Sequence, residues 1–215
     1  MERITLGRMQ NPVRGFLHGS AAVASVVGTA FLVIHAWGNA AHVAGAFIFG
    51  FSLLGMYTVS ALFHSVPWRE RTKHWMQRID HSMIFVLVAG TTTPIAIAAL
   101  GGGARIAVLS AVWGIAAAGI VIKLVAKRRL TWLSVTLQLL MGWSAAVWLP
   151  ALFGRFGWTG VWPVLAGGAL YTLGVVIYAT QRPRLAPRIF SAHELWHTMV
   201  VTASSFHFVA VWQVL

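Results

Sequence analysis

The sequence predicts an all-α membrane protein, a bundle of seven transmembrane helices with the N-terminus in the cytoplasm and the C-terminus outside. Three observations predict it. The chain of 215 residues is 58% hydrophobic and only 9% charged, against about 25% charged residues in soluble domains, and its mean hydropathy is +0.76. Its apolar residues gather in seven stretches, each near the roughly 20 residues that a helix needs to cross the hydrocarbon core. Its sixteen Lys and Arg fall in short runs between those stretches, as in polytopic membrane proteins.

The first stretch, 15–36, is longer than the apolar core of a signal peptide, about 7–15 residues, and is therefore read as a retained helix. The second, 40–63, carries Gly45, Gly50 and Gly55 and is closed by Pro67. A basic segment, 67–79, follows, with Trp68, Trp75, Met76 and Ile79 on one stripe. This is either an interfacial helix on anionic lipid or a solvated loop. The third stretch, 80–100, opens at Asp80, and Pro94, after Gly90-Thr91-Thr92-Thr93, should kink it, with threonine hydroxyls serving the freed backbone groups. The fourth, 104–124, has Gly114 and Gly119; the fifth is 131–150. The sixth, 159–180, has Gly167, Gly168 and Gly174, and the last, 190–214, follows Pro183 and Pro187. The glycines are read as close helix packing. Residues 1–215 form one membrane domain, without internal repeats or a soluble domain.

Charge sets the orientation. Arg3, Arg8, Arg14, Arg69, Arg71, Lys73, Arg78, Lys123, Lys127, Arg128, Arg129, Arg182, Arg184 and Arg188 border one side, and only Arg105 and Arg155 the other. Positive residues stay in the cytoplasm. The net charge of +12 raises the question of nucleic acid, but its scatter between apolar spans excludes a nucleic-acid partner. Without cysteine there is no disulfide, thiolate metal site or Cys nucleophile. A retinal protein is disfavoured because 190–214 contains no lysine for a Schiff base.

Ionisable residues inside spans are functional candidates by default. His18, His35, His42 and His74, near span ends or in loops, are read as ordinary interfacial or hydrogen-bonded histidines. His193 and His197 stand at i and i+4 on one helix face, a spacing that lets both imidazoles reach one metal. His64, three residues before Pro67, shares their cytoplasmic depth, as does Asp80; Ser60 is one turn from His64 on the same face. Three neutral histidines with an open fourth position are the ligand set of a catalytic zinc site; a hydrogen-bonded polar cluster is the alternative. His207 lies roughly 15 Å beyond His197 along the axis and is read as a core histidine. His81 is a bystander.

Ser60-Ala61-Leu62-Phe63-His64, Asp80-His81-Ser82 with Ala89-Gly90-Thr91-Thr92-Thr93-Pro94, and His193-Glu194-Leu195-Trp196-His197 with Ser205-Phe206-His207-Phe208 resemble the haemolysin III family, bacterial relatives of the progestin and adipoQ receptors. The resemblance covers almost the whole chain. It implies seven helices in a bacterial inner membrane, zinc on His64, His193 and His197, and Asp80 holding the metal's water. It also implies a part in membrane-lipid or energetic homeostasis. Related adiponectin receptors and alkaline ceramidases imply hydrolysis of an amide bond in a membrane lipid. Adiponectin receptors have Gln at the place of Glu194 and a long N-terminal extension, so a receptor role and its ligand are not carried over.

Three readings follow. In a zinc-dependent lipid amidohydrolase, Asp80 takes the proton of the water and Ser60 donates to the developing oxyanion. In an intramembrane metalloprotease, His193-Glu194-x-x-His197 is an HExxH motif with Glu194 as base. In a receptor, channel or haemolysin-type protein, zinc only staples helices, although few polar faces are available to line a channel.

Overall fold

The structure is a computed structural model and describes residues 9–125, 131–186 and 189–215. Glu2, Arg3, Arg8, Lys127, Arg128, Arg129, Pro187 and Arg188, which entered the charge count and the helix boundaries, lie outside the described residues. Among those described there is no β-strand. The helices are α1 (Pro12–His35), α2 (Ala40–Ser65), α3 (Glu70–Ala99), α4 (Gly102–Val125), α5 (Thr131–Trp143), α6 (Ala145–Thr180) and α7 (Ala192–Val214).

Local chemistry sets the starts. Pro12 occupies the first turn of α1, where a missing N–H removes no bond. Asn39 caps α2 by accepting from the N–H groups of Ala41 and His42. Ser191 opens α7 in a capping box with Glu194. Five stretches among the described residues are long and apolar enough to cross a membrane: Pro12–His35, Ala40–Ser65, Glu70–Ala99, Gly102–Val125 and Trp132–Thr180. Polar side chains leave α7 outside that group. The last stretch has 49 residues; as one straight helix it would measure about 74 Å, over twice the hydrocarbon thickness of about 30 Å. Gly157 divides it, with φ +62° and ψ −157°, a conformation open to glycine and not to residues with a Cβ.

Side-chain and backbone contacts fix how the helices run. The Gln10 and Asn11 N–H groups donate to the carbonyls of Ser65 and His64, so α1 begins where α2 ends. At the opposite end the His42 ring meets the Leu215 carbonyl at 3.1 Å, and His35 stacks on Trp212. Thus α1 and α7 start together, and α2 runs against both. The α6 segment after Gly157 lies along α7; Gly174 leaves room for the Trp196 ring and Gly167 for His207, which a Cβ would strike. The buried core holds Leu32, Phe49, Leu53, Ile95, Leu152 and Val211. A smaller cluster of Phe85, Val112, Ala116 and Met141 joins α3, α4 and α5. Outward faces carry exposed Val23, Phe31 and Val147, the apolar surface that lipid requires.

Several boundaries differ from the sequence reading. Helix α3 starts at Glu70, ten residues before Asp80, so the basic segment is its first turns and not a separate interfacial helix. Hydropathy misses this because backbone hydrogen bonding continues after the apolar residues stop. At 30 residues, about 45 Å, α3 is long enough to carry those turns beyond the hydrocarbon. The helix continues through Pro94; Thr91, Thr92 and Thr93 donate to the carbonyls of Leu87, Val88 and Ala89. Pro150 likewise lies inside α6, and the break falls at Gly157. Gly114 and Gly168 have nothing within 4 Å of where a side chain would be, so they are not packing contacts.

Candidate metal centre

The capped start of α7 places His193 and His197 one turn apart, and the end of α2 brings His64 against them. Each of the three can offer one ring nitrogen, and these atoms lie within 4.8 Å of one another. The ring centroids are 5.4 Å apart for His64 and His193, 4.8 Å for His64 and His197, and 4.9 Å for His193 and His197. His64 and His197 are buried and His193 is half-buried. The donors suit a metal ion: three nitrogens on two helices, no carboxylate among them, and a fourth direction left over. The spacing read from sequence therefore yields the expected constellation.

Asp80, half-buried on α3, stands close to the buried Ser60 side chain of α2. The two candidate catalytic side chains are thus neighbours, and Ser60 is one helical turn from His64 in sequence. Tyr178 of α6 stands edge-on to His193, with centroids 5.0 Å apart. His81 and His207 stand outside the metal-competent group. Gln138 of α5 donates to the His81 carbonyl, and the half-buried His207 ring lies 3.4 Å from the Val164 carbonyl, beside Tyr171.

Glu194 has a structural occupation. Its Oε1 accepts from Arg14 Nε at 2.7 Å, with both side chains buried. Its Oε2 accepts from the Ser191 N–H at 2.7 Å and from the Ser191 hydroxyl. Both oxygens hold the start of α7 in place.

Sequence reasoning missed the α1 contribution. His18, read as an ordinary interfacial histidine, is 3% exposed and has its Nε2 2.9 Å from His197 Nδ1. Arg14, counted as a loop charge, is one turn earlier on the same face. The available signal was that i, i+4 spacing of two polar residues where an apolar helix begins.

A sequence model of the family described as "Haemolysin-III related" matches residues 7–208. The chain belongs to this family. It is 34% identical over 196 residues to "Hemolysin-3 homolog" of Bacillus subtilis (strain 168), covering 90% of this chain and 89% of that protein. It is 30% identical over 213 residues to "Hemolysin-3" of Bacillus cereus, covering 98% and 94%. A more distant match is the human "Monocyte to macrophage differentiation factor", 28% identical over 175 residues, covering 79% of this chain and 70% of that protein. With its apolar helices, this membership makes the protein a multi-pass integral membrane protein of the bacterial inner membrane.

Proposed function

We propose that this haemolysin III family member is a zinc-dependent hydrolase that cleaves an amide bond in a membrane lipid, in the service of membrane-lipid or energetic homeostasis. The observation that carries the reading is the clustering of His64, His193 and His197 within 4.8 Å, with Ser60 one turn before His64 and Asp80 close to Ser60. Zinc held by those three residues supplies Lewis acidity and an activated water at neutral pH. The histidines bind as neutral nitrogen donors and leave a direction open for substrate. Asp80 accepts the proton of the attacking water and returns it to the departing amine. Ser60, close to Asp80, donates to the developing oxyanion. The polypeptide crosses the membrane seven times, with the histidine end at the cytoplasmic face, where Arg69, Arg71 and Lys73 meet anionic headgroups.

The metalloprotease reading needs Glu194 as base, yet both of its oxygens are engaged by Arg14 and Ser191. A receptor, channel or haemolysin-type protein with structural zinc shares the histidine geometry and gives Ser60 and Asp80 no role. The test is release of fatty acid from a ceramide by the purified, zinc-loaded protein in lipid nanodiscs. Release that stops on chelation supports the hydrolase; zinc-loaded protein that cleaves no lipid amide overturns it.

A further inference from the structure

Resting on the metal reading above, we propose that His18 is a positioning residue for the metal centre: α1 reaches across to His197 and holds its ring by Nδ1, so that Nε2 faces the ion. An imidazole has two nitrogens, and one held by a neighbour leaves the other for a metal while fixing the ring's tautomer and direction. His197 Nδ1 lies 2.9 Å from His18 Nε2 and 3.2 Å from His18 Nδ1. The two rings are 4.1 Å apart and inclined at 48°. His18 is itself fixed, edge-on to Tyr57 with centroids 5.1 Å apart.

A fourth ligand is the competing assignment, and the distances disfavour it. Four nitrogens on one tetrahedral zinc, each bonded at 2.0–2.1 Å, stand about 3.3 Å from one another, so a fourth ligand would have to lie close to all three of the others. The mutually close group, moreover, consists of His64, His193 and His197 without His18.

The setting of α1 explains how a helix with no ligand of its own acts on the site. The Asn11 N–H donates to the His64 carbonyl at 2.9 Å, which ties α1 to the ligand on α2. Arg14 binds Glu194 at 2.7 Å, and one turn later His18 binds His197. The same face of α1 therefore grips both ligand-bearing helices, and its last contact is with a ligand's second nitrogen.

Cobalt(II) is the probe, with the full-length protein in nanodiscs. Its affinity is read by competition with a chromophoric chelator, and its nitrogen coordination by visible and X-ray absorption. His18→Ala should bind cobalt about ten- to a hundredfold more weakly with an unchanged number of nitrogen ligands. His18→Gln, whose amide can still hydrogen-bond His197, should recover most of the loss. Equal affinity for wild type and His18→Ala would overturn the inference, as would loss of one nitrogen from the cobalt shell. His18→Gln as weak as His18→Ala and equally lowered in thermal stability would overturn it too, because that is the pattern of a packing residue. If His18→Ala does not fold, His18→Gln alone decides: near-wild-type affinity and spectrum support the inference, and a changed nitrogen count overturns it. Wild type that binds no cobalt removes the metal reading itself, an outcome distinct from a wild type that binds while His18→Ala binds equally well.

Discussion

Arg14 Nε lies 2.7 Å from Glu194 Oε1, an ion pair buried between the first helix and the last. Charges this far from water are held by each other, and removing one partner strands the second, at a cost of about 3–5 kcal/mol for buried pairs. Glu194→Gln is therefore expected to lower the thermal midpoint of the purified protein markedly, and Arg14→Met to do the same. The double variant should lose less than the two singles combined, because no unpaired charge remains. Strict additivity in a double-mutant cycle would show that the pair carries no coupling.

Metal content follows the three nitrogens. Zinc should co-purify with the wild type, and His64→Ala, His193→Ala and His197→Ala should each lower both zinc content and stability, since the ion would join α2 to α7. His207→Ala should leave zinc in place, because that ring lies against the Val164 carbonyl and away from the cluster. Elemental analysis of the purified variants decides. Full zinc in a His64→Ala, His193→Ala double variant would rule out this ligand set.

The convergence of His64, His193 and His197 was legible because helix spacing and loop charge set depth in a membrane, and depth alone nearly places residues that stand at helix ends. His18 and Arg14 were not. Depth does not report which way a side chain points around its helix, and Arg14 at a boundary reads equally well as a loop charge. The start of α3 was hidden for a different reason: hydropathy measures the solvent around a helix, whereas Glu70–Ala99 is continuous in backbone hydrogen bonds. The fate of Glu194 turned on a tertiary contact with a residue 180 positions away, which no local motif encodes. The capping box with Ser191 was local and could have been read from Ser191 and Glu194 at their N-cap and N3 spacing.

Sidedness follows from lysine and arginine. A reporter fused after Leu215 should read outside the membrane, and one in the segment of Lys127 to Arg129 should read cytoplasm. α1 and α7 begin at one end of the bundle, so an outside reading at Leu215 also puts the histidines at the cytoplasmic face. A cytoplasmic Leu215 would place the metal centre at the opposite leaflet and remove anionic cytoplasmic headgroups as its surroundings.

Asp80 and Glu194 separate the chemical readings because each is the base in a different one. Asp80 is not one of the three metal-competent residues, so Asp80→Asn should retain zinc and lose ceramide hydrolysis by at least about a hundredfold, the lower range for removing a general base. Glu194 spends both oxygens on Arg14 and Ser191, so Glu194→Gln should lower stability while keeping hydrolysis per folded, zinc-loaded molecule within a fewfold of wild type. An intramembrane protease reverses that order: Glu194→Gln is inactive, Asp80→Asn is active, and the product is a cleaved peptide instead of a fatty acid. A structural metal predicts no product from any form. Measuring fatty-acid release and peptide cleavage side by side, each normalised to bound zinc, assigns the base; a fully active Asp80→Asn would remove Asp80 from that role.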